Sequence, residues 1–80
     1  MYYVYVLRGS KQFYIGSTGD LRRRLVEHRN GKSLATKNRG PWKLVYYEAS
    51  ASKSDALIRE RYLKTAWGKR YLKSRIKGSE

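Results

Sequence analysis

The feature that most constrains this chain is a pair of short strand-like segments at its start, followed at once by a basic helix. Tyr2 to Arg8 alternate Tyr, Val and Leu in an aromatic and β-branched run, which reads as a strand. Arg8-Gly9-Ser10-Lys11 supplies a turn and Gln12 to Gly16 a second strand, so the two should close as an antiparallel hairpin. Ser17 to Asp20 are helix-starting residues, with Asp20 or Thr18 as the N-cap. The helix that follows should run to about Asn30-Gly31, where a glycine past an asparagine is a common stop.

Residues 31–41 are polar and basic, and 42–49 form a third strand. Ser52-Lys53-Ser54-Asp55 opens a second helix, with Ser52 and Asp55 approximating a capping box. That helix is expected to extend to about Trp67, where Gly68 breaks it, leaving a short basic helix at about 68–77. The order ββαβαα predicts an α+β fold, a small three-stranded antiparallel sheet flanked by helices.

Eighty residues leave room for one domain, 1–80, with little space for a second core. A chain this short buries only about 60% of its unfolded surface. It has no cysteine to brace it by disulfides or to form a thiolate metal site. Eight Tyr, two Trp and one Phe must therefore supply much of the apolar bulk.

Nineteen Lys and Arg oppose six Asp and Glu, a net charge of +13. Such self-repulsion points to a polyanionic partner, and nucleic acid is the commonest. A membrane-surface role fits poorly, because the basic helices lack a broad exposed Leu/Phe/Trp face. No apolar run approaches the ~20 residues that span a bilayer. No secretory signal is expected from the strand-like start, so a cytoplasmic protein is the economical expectation.

Several residues break the amphipathic pattern. On the first helix, Leu21 and Leu25 mark the face that docks on the sheet, and Arg24 and His28 share their stripe. Arg22, Arg23 and Arg29 point more towards solvent. A guanidinium beside a buried stripe either snorkels, its stem covering apolar surface, or binds an anion such as a phosphate. On the second helix Ala56, Leu57, Leu63 and Trp67 form a stripe with Glu60 in its middle. That carboxylate either pairs with Lys64, four residues on, or holds Mg²⁺, which often takes only one or two protein carboxylates.

Tyr46 and Tyr47 read as half-buried packing groups. Tyr5 and Tyr14 differ, because the hairpin can bring them to facing positions with their hydroxyls in a cleft. A tyrosine acts as a base only where nearby cations or a metal lower its pKa from about 10. Gly16 fits a site where the chain turns or a ligand approaches closely.

Taken together, Tyr5 on the first strand, Tyr14-Ile15-Gly16 on the second, Arg24 ten residues after Tyr14, His28 one turn on, and Glu60 on a later helix resemble the GIY-YIG nuclease family. The resemblance covers nearly the whole chain and is strongest to its small, single-domain bacterial-type members. The isolated Tyr-Ile-Gly is a weak motif, whereas the spaced set is a specific one. Tyr3 stands where the family name has Gly. Family members often carry an Asn about where Leu72 stands, twelve residues after Glu60.

The resemblance implies a metal-dependent DNA endonuclease with low intrinsic sequence specificity. Its catalytic set would be Tyr5, Tyr14, Arg24, His28 and Glu60, with Glu60 holding Mg²⁺ or Mn²⁺ and Gly16 structural. Arg22, Arg23, Lys32, Lys37, Arg39, Lys69, Arg70 and Lys73 would grip DNA phosphates, contacts that are nearly sequence-independent. Targeting would then come from DNA structure or a partner protein, with repair or recombination among the settings. The alternative is a non-catalytic nucleic-acid-binding module on the same scaffold; charge alone would also accommodate an RNA- or ribosome-associated protein.

Overall fold

A central strand with a partner on each edge organises the molecule. The computed structural model describes residues 1–34, 36–37 and 40–76. Strand β1 (Tyr2–Arg8) pairs antiparallel with β2 (Phe13–Thr18), and the turn between them closes through the Gly9 N–H donating to the Gln12 carbonyl at 2.8 Å. On its other edge β1 pairs antiparallel with β3 (Lys43–Ser50), giving the sheet order β2-β1-β3. Because helices cover both faces, the middle of β1 is buried without interruption from Val4 to Leu7. The β1–β3 register shifts between Val6 and Leu7, a β-bulge that leaves Val45 without a directly opposed partner.

Helix α1 (Leu21–Arg29) begins where Asp20, in extended conformation, accepts from the Arg23 N–H at 3.1 Å. It ends in a Schellman motif. Gly31 adopts φ 70°, its N–H donates to the His28 carbonyl, and the Lys32 N–H donates to the Glu27 carbonyl. Helix α2 (Lys53–Leu63) is capped by Ser52, whose hydroxyl accepts from the Asp55 N–H at 3.0 Å.

The end of α2 departs from the sequence expectation. It stops at Leu63 rather than near Trp67, and Gly68 is not a breaker. Helix α3 (Ala66–Arg75) starts earlier than expected because Thr65 caps it, accepting from the Gly68 N–H while its hydroxyl donates to the Tyr62 carbonyl. Gly68 is buried inside α3, where a Cβ would collide with the Tyr62 carbonyl oxygen and the Leu63 Cα. Glycine is there for a close approach of two helices.

Helices α2 and α3 cover one sheet face. Ala56, Leu63, Leu72 and Ile76 pack there against Val4, Val6 and Ile15. Full burial of a side chain such as Leu63 contributes about 1.5–3 kcal/mol. The expected α2 stripe needs correction: Leu57 and Trp67 are exposed, and the inward line runs Ala56, Arg59, Glu60, Leu63. Arg59 is held by a two-pronged contact with Glu48, at 2.8 and 3.0 Å, and Glu48 also accepts from the Tyr46 hydroxyl at 2.6 Å. Helix α1 and the start of the 31–41 loop lie on the opposite face, over Tyr5. Among the described residues no helix is long and apolar enough to cross a membrane.

Candidate active site

Tyr5, Tyr14, Arg24 and His28 come together on the α1 face of the sheet. Tyr5 is wholly buried although its side chain is polar at one end. Its hydroxyl lies 2.7 Å from His28 Nε2 and accepts from Arg24 Nε at 3.4 Å. The Tyr5 and Tyr14 rings are 6.2 Å apart, and Tyr14 lies 5.1 Å from the His28 ring. The two tyrosines are not directly opposed, as the hairpin reading expected. Tyr5 pairs with Gly16 and Tyr14 with Leu7, so they are diagonal neighbours on one face.

That register explains Gly16. A Cβ there would lie 2.7 Å from the Tyr5 hydroxyl and 2.9 Å from its Cζ. The close approach expected at this glycine is therefore made by the Tyr5 side chain itself.

Arg24 is an organised guanidinium rather than a free surface cation. Nη1 donates to Glu27 Oε1 at 2.9 Å and Nη2 to Ser33 Oγ at 3.4 Å. Glu27, then Tyr5, raise its pKa further above its already high ordinary value, with Tyr14 acting in the same direction. The charge is permanent and its plane is fixed by three elements. Burial, opposed by Arg24, pushes the Tyr5 phenol up to about 12.

His28 is buried, and both ring nitrogens are engaged, Nδ1 lying 2.6 Å from Thr36 Oγ1. Burial first, and the Arg24 charge second, lower its pKa below the ordinary 6.5, against an opposing pull from Glu27. Thr36 is itself buried, and its carbonyl accepts from Trp42 Nε1 at 3.0 Å. His28, Thr36 and Trp42 line a cavity of about 220 Å³ with Gly31, Gly40 and Pro41 at its rim.

Glu60 is not in this constellation's hydrogen-bond network. It reaches the sheet at Ser17, one residue past Gly16, whose hydroxyl donates to Oε1 at 2.6 Å. Lys64 Nζ donates to Oε2 at 2.8 Å, the ion pair that the helix spacing allowed. Burial would raise the Glu60 carboxyl, but Lys64 and Ser17 outweigh it and hold it below the ordinary carboxylate range. Among the described residues no group of three or more His, Cys, Asp or Glu is placed to hold a metal. A hard divalent cation that keeps most of its waters needs less, and the fixed Glu60 carboxylate fits that demand.

The basic residues are spread over several elements. Arg22 and Arg23 on α1, with Lys32 and Lys37 in the following loop, are exposed. Lys69 and Lys73 instead line a groove with Gln12 and Phe13 at the hairpin end, and Arg70 stacks over Trp67 at 4.8 Å. Arg39, and Lys77 of the expected tail helix, lie outside the described residues. Ser17, Ser33, Thr36 and Trp42 carried no signal in sequence. Glu27 did, since it stands three residues after Arg24 on one helix.

A family model described as the GIY-YIG catalytic domain matches residues 1–73. The chain belongs to the GIY-YIG family, a family of nucleases. It is 42% identical over 66 residues to a UPF0213 protein of Clostridium perfringens, covering 80% of this chain and 71% of that one. A UPF0213 protein of Streptococcus pneumoniae serotype 4 is 45% identical over 64 residues, 78% of this chain and 65% of that one. The solution NMR structure of a UPF0213 protein from Bacillus halodurans aligns with a TM-score of 0.58 at 36% identity, covering 91% of this chain and 82% of that one. Each shares the small α+β scaffold or its sequence; their names state no activity.

Proposed function

We propose that this chain is a divalent-metal-dependent DNA endonuclease of low intrinsic sequence specificity, working in the cytoplasm as one catalytic unit. The observation that carries the reading is the convergence of Tyr14, Tyr5, Arg24 and His28 on one sheet face, with a permanently charged guanidinium held in place among them.

The burial pattern supports different work for the two tyrosines. Tyr5 has no exposed surface, while Tyr14 is only partly covered. Tyr14 therefore meets the attacking water, its hydroxyl orienting the oxygen that bonds to phosphorus, while the water's proton passes to bulk solvent. Arg24 binds a non-bridging phosphate oxygen and offsets the charge that builds there. Tyr5 and His28 hold the guanidinium and the Tyr14 ring in position. The bond from phosphorus to the leaving deoxyribose oxygen breaks, and that oxygen takes a proton from solvent. Glu60 would hold Mg²⁺ or Mn²⁺, which when bound supplies Lewis-acid stabilisation of the phosphate charge. Arg22, Arg23, Lys32 and Lys37 would carry the strand through phosphate contacts.

A plasmid-nicking assay with Mg²⁺ or EDTA tests this. Metal-dependent nicking is expected for the wild type, with loss of about 100-fold or more for Tyr14→Phe, Arg24→Ala and Glu60→Ala. Nicking unchanged in Glu60→Ala would overturn the metal assignment.

The second reading is a nucleic-acid binder that cleaves nothing. It is favoured by Lys64 sitting on Glu60 and by Leu72, at the spacing of the family's late Asn, being buried in the core. DNA binding indifferent to Mg²⁺, with no nicking of supercoiled, branched or single-stranded DNA, would establish it.

A further inference from the structure

A groove outside the Tyr5–His28 cluster runs between the start of α1 and the exposed end of the sheet. It has a volume of about 440 Å³ and is lined by Tyr3, Tyr47, Leu21, Leu25 and Arg22, with Gly19 and Asp20 at its mouth. We propose that this groove receives an unpaired nucleobase of the DNA strand whose phosphate lies at Arg24, so that the preferred substrate carries an unpaired or extruded base beside the cut. The proposal rests on the nuclease reading for what lies at Arg24, and on the groove's own chemistry for the base.

Tyr47 is the first reason. The sequence reading took it for a packing residue, yet it is 54% exposed while its cross-strand partner Tyr5 has no exposure at all. An aromatic ring left open on a sheet face, in a chain with this charge, is a stacking surface for a base. Tyr3 braces it edge-on, with ring centroids 6.1 Å apart and planes at 61°. Leu21 and Leu25 supply the apolar wall opposite.

Continuity with the Arg24 cluster is the second. Tyr47 and Tyr5 are paired residues on adjacent strands, with Cα atoms about 4.5–5.5 Å apart. Helix α1 crosses both places: Leu21 and Leu25 border the groove, while Arg24 and His28 contact Tyr5. A nucleotide with its phosphate on Arg24 thus has an aromatic shelf next to it.

The groove's polar groups show how the base would be recognised. The Asp20 carboxylate serves as the helix cap, Oδ1 accepting from the Arg23 N–H, and as an acceptor it offers no donor to a base edge. Recognition would then come from ring stacking, which every base can supply, with exposed Arg22 at the rim for the backbone. Bases stacked within an intact duplex present no face, so the base must be extruded or already unpaired. Extrusion is easiest at mismatches, damage and single-stranded segments. A second copy of the chain is the other occupant of such a surface, but two chains of net charge +13 repel one another with Arg22 and Arg23 beside the contact.

The test is binding of the full chain in EDTA, so that cleavage plays no part. Fluorescence anisotropy would compare a labelled 12-nucleotide oligothymidine with a strand of equal length whose central sugars carry no bases. The expected result is about tenfold or greater preference of wild type for the base-bearing strand, a factor typical of one stacked base. Tyr47→Ala should abolish that preference and Tyr47→Phe should keep it. The salt dependence of binding should be unchanged in both variants, since no phosphate contact is removed.

Equal affinity of wild type for the two strands overturns the proposal. So does a Tyr47→Ala variant that weakens both strands alike, or sedimentation showing a dimer that this variant dissociates. A chain that nicks plasmid but shows no base-dependent binding loses only the groove. A chain with base-dependent binding and no nicking keeps the groove and loses the nuclease reading.

Discussion

The Tyr5 hydroxyl sits 2.7 Å from His28 Nε2, and the other ring nitrogen of His28 sits 2.6 Å from the Thr36 hydroxyl. A strand, a helix and a loop are thereby joined through one imidazole. Arg24 can only donate, so it uses a lone pair of Tyr5 Oη. The neutral His28 ring donates from one nitrogen and accepts at the other, so its contacts with Tyr5 and Thr36 run in opposite senses. Among the described residues no buried side-chain polar atom lacks a partner, so removing any member of this chain leaves another unsatisfied.

Thr36→Val should show this directly. It keeps the shape of the side chain and removes the hydrogen-bonding partner of His28 Nδ1. A buried ring nitrogen left without a partner costs about 1–3 kcal/mol, which urea unfolding would read as a lowered midpoint at constant slope. Thr36→Ser should retain most of the stability.

Gly16→Ala is expected to be destabilising by about 1–3 kcal/mol, the usual penalty of overpacking a filled site. The new methyl would press on the Tyr5 hydroxyl and Cζ at 2.7 and 2.9 Å, and on Tyr14 at 3.0 Å. Nicking should fall further than stability does, because both tyrosines are displaced. An activity assay well below the melting temperature separates the two effects.

The depressed pKa of His28 gives a stability window of known sign. Burial, then Arg24, favour the neutral ring in the folded chain, so the unfolded chain binds the proton more tightly. That contribution is complete above the ordinary pKa of 6.5 and is lost as pH falls through the lower folded value. Glu48 and Glu60, both held below 4.5, add their losses at more acidic pH. Urea midpoints at pH 7.5 and 5.5 should therefore differ in wild type and converge in His28→Gln.

Lys64→Ala bears on the metal. Its ammonium is 2.8 Å from Glu60 Oε2, a repulsive neighbour for any cation that the carboxylate would take. The ammonium is half exposed and Ser17 remains as a partner for the more covered carboxylate, so its loss should change stability by about 1 kcal/mol or less. Titration with Mn²⁺ should show a lower half-saturating concentration in the variant than in wild type.

Much of the scaffold was legible because local rules and tertiary demands agree there. The β1 run, the Asp20 and Ser52 caps and the Gly31 stop each state their structure within a few residues. Gly68 was misread for the opposite reason. A glycine reads as a helix breaker, and only the packing of α3 against the Tyr62–Leu63 backbone reveals a glycine kept for space. The α2 stripe was half right, since periodicity locates an inward face but not its limits. Leu57 and Trp67 satisfied the spacing while facing water.

By itself the sequence determined the element order, the capped helix ends, the polyanion-seeking charge and the spacing of Tyr5, Tyr14, Arg24, His28 and Glu60. These depend on near neighbours along the chain and on residue chemistry, which a sequence states outright. Tertiary structure alone decided that Tyr5 is buried while Tyr47 is open, that Thr36 and Ser33 turn inward to hold His28 and Arg24, and that Glu60 rests on Ser17 and Lys64. The physical reason is strand register and loop closure. Which hydroxyl meets which ring follows from contacts between residues far apart in the chain, and no local pattern encodes those distances.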